Sequence, residues 1–350
     1  MIFKKIIKST VCAVFAATVA ISAFSGCAVQ DTRAAVTVND EEISQKQYGY
    51  YFSMIQQQML SEAGVSASDA DAVENFWKNT EIDGENALTA ARNKAKDEAV
   101  KMAVRVQKAK ELGVELTDED KQSIKDNIDT IIKNNGGREE YEKQLAAINT
   151  DAKTFEELFS NSQLISKLEQ KLEDDGKLKV TDEEVKQYLT DNYVKAKHIL
   201  FATMDLSTQQ PYDDEKKASV KKTAEKILDE INNGGDFDAL MKQYSEDTGL
   251  EQNPDGYVFT KGEMVQQFED AAFALKPGEI SELVESQFGF HIIKREPFTV
   301  TDENVSQYAS DAETKILSEK FDSMTDKWTK KANVKVNESV LKKFKYDSGK

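Results

Sequence analysis

His198 and His291 are the only imidazoles in the 350-residue chain, and each precedes a pair of aliphatic residues: Lys197-His198-Ile199-Leu200 and Phe290-His291-Ile292-Ile293. Apolar, β-branched runs of this kind read as buried strands, and a polar ring set in one needs a hydrogen-bonding partner inside the protein. Two such runs imply one shared site. Two imidazoles without a cysteine or a third histidine fall short of a zinc donor set, and the flanking acids lack ligand spacing, so neither a metal nor another cofactor is expected. The plainer alternative is a pair of core histidines that satisfy each other and stabilise the fold.

The rest of the chain constrains which surroundings hold that pair. Charged residues make up 31% of the sequence and the formal charge is -17, which becomes -20 once Lys4, Lys5 and Lys8 of the first 26 residues are removed. Nucleic acid is excluded as a general electrostatic partner, because phosphate contacts need clustered cations. Those three lysines precede an apolar stretch from Val11 to Phe24, followed by Ser25-Gly26-Cys27. A basic start, a short apolar run and small residues before a cysteine form an export signal, residues 1–26. The apolar run is shorter than the ~20 residues a spanning helix needs, which favours cleavage. A signal cleaved nearby without lipid is the alternative to modification of Cys27. Cys12 falls in the discarded part, so the mature chain has no pair of cysteines to join.

Proline separates the elements. All four prolines, Pro211, Pro254, Pro277 and Pro297, fall between residues 211 and 297. The proline-free remainder is rich in Ala, Glu and Lys, as long helices require. Amphipathic helices are expected from Ile43 to about Leu60 and from Asn86 to Leu112, and further ones after the threonines of Thr117-Asp-Glu-Asp, Thr181-Asp-Glu-Glu and Thr301-Asp-Glu-Asn. Between them, His198 to Phe201 and His291 to Arg295 read as strands. Asp214 to Asn232, Phe237 to Tyr244 and Phe268 to Leu275 read as helices, punctuated by Gly234-Gly235 and Asn253-Pro254-Asp255-Gly256. Short alternating strands near the two ends, residues 35–39 and 333–337, cannot stand alone and are expected to pair. The fold class is α+β: a mainly helical N- and C-terminal domain (27–194 and 298–350) with an inserted domain at 195–297, a small antiparallel sheet with surrounding helices.

Six segments of the inserted domain carry a resemblance. Ala196-Lys-His-Ile-Leu200, Tyr244-Ser-Glu-Asp247, Lys261-Gly-Glu-Met264, Phe268-Glu-Asp-Ala-Ala-Phe-Ala-Leu275, Pro277-Gly278 and Phe288-Gly-Phe-His-Ile-Ile-Lys-Arg-Glu296 resemble, in order and spacing, the parvulin family of peptidyl-prolyl isomerases. The N-terminal segment resembles a lipoprotein signal in which Cys27 is diacylated, although Phe24 stands where leucine is usual. The helical flanks resemble those of exported foldases of the PrsA and SurA type. The resemblance implies catalytic roles for His198, Asp247, Ser286 and His291, with Met264 and Phe268 walling the proline pocket. It is broken where Pro254-Asp255-Gly256-Tyr257 replaces the usual Gly-Asp-Leu-Gly, so that Tyr257 or Phe259 is expected to stand in for the missing leucine contact.

The implied activity is prolyl cis-trans isomerisation outside the cytoplasm, without a nucleophile. Some parvulins carry cysteine where Asp247 stands, and a carboxylate makes a thiol route untenable. The expected partners are unfolded or partly folded exported chains containing X-Pro bonds, the outer face of a membrane reached through the N-terminal lipid, and a second copy of the chain as a homodimer. The alternative is a holding chaperone with a weak or inactive parvulin domain, its cleft lined by Tyr48, Tyr50, Tyr51, Phe52, Met54 and Met59. Met264 and Phe268 can equally be read as core packing, Asp247 as a turn residue, and Ser286 as a loop hydroxyl.

Overall fold

Ser44, Thr117 and Thr181 each accept the backbone N–H three residues on and take a side-chain oxygen of Gln47, Asp120 or Glu184 back onto their own N–H. These reciprocal caps set the starts of three helices. The computed structural model describes residues 33–208 and 210–346, so the export segment and Cys27 lie outside the described residues. In chain order the elements are β1 (Val36–Val38), β2 (Glu41–Ile43), α1 (Gln45–Glu62), α2 (Ala70–Asn79), β3 (Glu81–Ile82), β4 (Glu85–Asn86), α3 (Ala87–Glu111), α4 (Asp118–Asn134), α5 (Arg138–Ala147) and α6 (Ala152–Asp174). Then come α7 (Asp182–Asn192), β5 (Val194–Ala202), α8 (Asp214–Asn232), α9 (Phe237–Tyr244), β6 (Tyr257–Phe259), α10 (Gln266–Ala274), β7 (Val284–Ser286), β8 (Gly289–Glu296), α11 (Asp302–Thr329), β9 (Val334–Val336) and α12 (Glu338–Leu341). The class is α+β, with two units: Met1–Lys179 together with Leu317–Lys350, and Val180–Ile316.

In the first unit two short segments far apart in sequence meet. β1 lies between β2 and β9, antiparallel to both, with Val36 opposite Val336 and Val38 opposite Val334. Three short strands thereby share backbone hydrogen bonds that none could make alone. Ala87, Ala90, Ala91, Ala95 and Ala99 give α3 a small-residue, buried face. The core beside it holds Tyr48, Phe52 and Trp77, with Phe344 edge-on to Tyr48 at 4.8 Å. That packing does not fit the cleft that the chaperone alternative draws from these residues. Tyr48 and Phe52 are fully buried, and Tyr50 and Met59 are nearly so. Only Tyr51 and Met54 of the six keep part of their surface.

The second unit is built on a four-stranded antiparallel sheet in the order β6-β5-β8-β7. Ile199, Phe201, Phe290 and Ile292 bury one face under Ile227 and Ile231 of α8 and Phe237, Leu240 and Met241 of α9. Val194, Ala196 and Ile293 bury the other against Phe259, Phe268 and Ala272, the last two from α10. Alternation along the strands produces these two apolar layers. A third cluster joins Val185, Leu189 and Tyr193 to Ala312 and Ile316. The early part of α11 therefore packs in this unit, whereas residues from 298 onward were expected to return to the N-terminal domain. Val305, Tyr308, Ala309, Ala312 and Ile316 recur at helical spacing in this cluster, and the return begins only at Leu317.

Candidate functional site

β5 and β8 place the two histidines on one face of the sheet. His198 lies opposite Ile293 and His291 opposite Leu200, so the rings are diagonal cross-strand neighbours. Their Nδ1 atoms are 3.2 Å apart, and the rings lie nearly parallel with centroids separated by 5.4 Å. Both are buried.

Two loops bring polar partners to the outer nitrogens. β6 pairs only with residues 194–196 of β5, and beyond that point the segment after α9 runs beside the strand. The Glu246 N–H donates to the Leu200 carbonyl at 2.8 Å, Ser245 Oγ accepts from the Leu200 N–H at 3.1 Å, and Glu246 Oε2 accepts from the Ala202 N–H at 2.7 Å. This pairing delivers Asp247, whose Oδ2 lies 3.1 Å from His198 Nε2. The Tyr257 hydroxyl donates to the same oxygen at 2.6 Å, and the Gly249 N–H to Oδ1 at 2.9 Å. On the other side, the β7–β8 hairpin holds Ser286 Oγ 2.7 Å from His291 Nε2, and that hydroxyl accepts from the Phe288 N–H at 3.1 Å.

Proton positions follow from the chemistry of the ends. Burial alone would raise the Asp247 pKa, but hydrogen bonds from His198, Tyr257 and Gly249 outweigh it and hold the carboxyl well below the usual range. Burial, and next the neighbouring His198, push His291 down to about 3 against the attraction of Asp247. The Tyr257 phenol is pushed up, by burial first and then by Asp247. An ionised Asp247 only accepts, so His198 Nε2 donates to it. With one proton on each ring, His198 Nδ1 accepts from His291 Nδ1–H, and His291 Nε2 accepts from Ser286. In that state the four side chains form a line of hydrogen bonds running in one direction, Ser286 to His291 to His198 to Asp247.

Phe268 closes this line from the α10 side. Its ring meets His198 at 5.1 Å and His291 at 5.5 Å, edge-on to both, and is 4% exposed. Met264, just before α10, belongs to the same apolar cluster and keeps part of its surface open. Phe259 corrects the expectation of a pocket residue: at 1% exposure it touches Phe268 and Phe273 from within the core and has no surface left for a ligand. Tyr257 is also placed differently, with its hydroxyl on Asp247 and its ring at 61° to His198. Sequence reasoning missed Ser245 and Glu246, which serve the backbone of β5. Their signal was available, since both lie in the Tyr-Ser-Glu-Asp run, but edge pairing by a loop has no periodicity to read.

Comparison with known proteins covers most of the chain. Residues 178–297 match the family described as PPIC-type PPIASE domain, and residues 1–169 match the SurA-like N-terminal domain. The foldase protein PrsA of Caldanaerobacter subterraneus subsp. tengcongensis is 31% identical over 299 residues, covering 82% of this chain and 83% of the relative. Foldase protein PrsA 1 of Bacillus cereus is 38% identical over 180 residues, covering 47% of this chain and 61% of the relative. Among solved structures, PrsA from Bacillus cereus is 24% identical and covers 77% of this chain and 96% of that one, with a TM-score of 0.33. The parvulin of Nitrosopumilus maritimus is 36% identical and covers 30% of this chain and 97% of that one, with a TM-score of 0.22.

Proposed function

This chain belongs to the PrsA foldase family and is a peptidyl-prolyl cis-trans isomerase, and from that premise we propose that it acts outside the cytoplasm on exported chains, by a mechanism that forms no covalent bond to substrate. The observation that carries the reading is the hydrogen-bonded line from Ser286 through His291 and His198 to an ionised Asp247, closed on one side by Phe268. The chain's two cysteines, Cys12 and Cys27, both lie in the N-terminal segment, so the isomerase unit brings no thiol to the reaction.

Rotation about a prolyl bond crosses a barrier of ~18–20 kcal/mol set by amide resonance, and the twisted state has less C–N double-bond character than the planar one. No bond breaks. Met264, which keeps part of its surface open, holds the pyrrolidine ring above the buried Phe268 and withdraws the amide from water, which favours the polar planar form. The Asp247 carboxylate acts through its field on the carbonyl as it turns, and the two imidazoles with Ser286 hold that carboxylate and its donors in place before the substrate arrives.

Lipid on Cys27 then ties the enzyme to the outer face of the plasma membrane, where exported chains emerge unfolded. Uncatalysed prolyl isomerisation takes tens of seconds, long compared with exposure to proteases. On the intact chain, His198→Ala lowers kcat toward a prolyl peptide and Met264→Ala raises KM, while Cys27→Ser releases the protein from membranes. Full activity in both site variants would overturn the assignment. Suppression of client aggregation that survives His198→Ala undiminished would identify a separate holding activity.

A further inference from the structure

We propose that Tyr257 is a positioning residue of the isomerase site that acts through Asp247; this rests on the reading of Asp247 as the group facing the substrate amide. Tyr257 stands where the sequence departs from the parvulin pattern, at the last position of Pro254-Asp255-Gly256-Tyr257. It was expected to supply apolar surface. Its ring packs on the apolar cluster around Phe268, and its hydroxyl supplies a hydrogen-bond donor as well.

Two glycines on separate segments make room for that donor. Gly256 has φ +90, and a Cβ there would stand 2.5 Å from the Ala196 carbonyl oxygen. Only glycine lets the turn settle onto β5 at this point, which puts Tyr257 in register opposite Ala196, two residues from His198 and on the same face. Gly249 sits on the Asp247 loop, and a Cβ there would stand 2.3 Å from the Tyr257 hydroxyl. The phenol thus reaches Oδ2 through a gap that any other residue at 249 would fill.

A half-buried carboxylate with one side-chain donor can turn about its last torsion and exchange that donor for water. Asp247 cannot, because Oδ2 receives Tyr257 and His198 from two directions while Oδ1 is held by the Gly249 N–H. The field at the substrate carbonyl is therefore fixed in direction before binding, as electrostatic preorganisation requires. Through the same oxygen, Tyr257 also keeps the His198 proton on Nε2.

The test is a cycle of variants in the full chain, Tyr257→Phe, Asp247→Ala and the double variant, assayed on a prolyl tetrapeptide for kcat and KM separately. Tyr257→Phe keeps the ring and loses the hydroxyl, and kcat is expected to fall about tenfold, the scale of one hydrogen bond to a charged group, with KM within about twofold. The double variant is expected to match Asp247→Ala, since nothing remains for the phenol to act on. Wild-type kcat in Tyr257→Phe beside an impaired Asp247→Ala overturns the proposal and leaves the site intact. Losses that multiply in the double variant also overturn it, because they mark an independent structural role. A fully active Asp247→Ala overturns the proposal and the site reading together.

Discussion

Asp247→Asn reverses a hydrogen-bond polarity while hardly changing a shape. The carboxylate offers acceptors at both oxygens: Oδ2 takes His198 Nε2–H at 3.1 Å and the Tyr257 hydroxyl at 2.6 Å, and Oδ1 takes the Gly249 N–H at 2.9 Å. An amide has one acceptor and one donor. If its oxygen takes the Oδ2 place, the NH2 group faces the Gly249 N–H, and a donor is left unpaired at a cost of about 1–3 kcal/mol. If it is flipped, His198 Nε2 must accept, its proton moves to Nδ1, His291 Nδ1 accepts in turn, and His291 Nε2–H donates to Ser286. The whole line then runs backwards and loses its charge-assisted end, which makes the bonds there roughly half as strong. Either arrangement lowers stability by about 1–3 kcal/mol in urea unfolding. Removing one preorganised electrostatic group typically costs 10²–10³ in kcat, and a loss of about two orders of magnitude is expected here. Nitrogen chemical shifts of the two labelled rings report which arrangement forms. A variant with wild-type ring tautomers, unchanged stability and more than a third of the activity would refute the reasoning.

Other outcomes follow from the same geometry. Phe268→Ala empties a 4% exposed site against both imidazoles and should cost about 3–5 kcal/mol, read by chemical denaturation of the full chain. Gly249→Ala drives a Cβ into the Tyr257 hydroxyl and should lower kcat about as far as Tyr257→Phe does, with no further loss when the two are combined. In the helical unit, burial and then the acids Glu173 and Asp322 raise Glu169 from 4.5 to about 7, against the pull of Arg105. A folded-state pKa above the unfolded one means that the native chain holds this proton more tightly. The associated stability is present below about pH 4.5 and is lost as pH rises through 7, a change of about 3 kcal/mol that Glu169→Gln should abolish in melting curves.

Much of the helical architecture was legible because it is written in local chemistry. The ranges expected for α8 and α9 match the structure residue for residue, since Asp213 and Asp236 cap their starts and glycine or a polar turn follows their ends. The pairing of β1 with β9 followed from two short alternating runs that each lacked a partner. β6 and β7 were not foreseen. Three residues are too few to establish a period of two, and both exist because β5 and β8 present backbone edges that need covering.

The histidine pair, Asp247 and Ser286 were readable as candidates from residue type and motif. Their order along a line of hydrogen bonds was not, because it depends on strand register. Phe259 and Tyr257 show the limit most clearly. They stand two residues apart on one short strand and so share a face, and the sequence cannot tell which is covered by α10 and which reaches across to a loop ten residues earlier. The aromatic residues of α1 were misread for a related reason. Tyr48 and Phe52 have the composition of an adaptable binding surface, but the C-terminal Phe344 covers them.

We propose that catalysis needs a carboxylate, held by the histidine line, and no nucleophile. Exchange spectroscopy on a prolyl tetrapeptide measures the cis-trans rate directly, without a coupling protease, for the intact chain and for Asp247→Ala. Exchange is expected to rise well above the uncatalysed rate with the wild-type chain and to fall more than tenfold with the substitution, with the fold retained. A loss of less than tenfold in a folded Asp247→Ala protein would contradict that proposal.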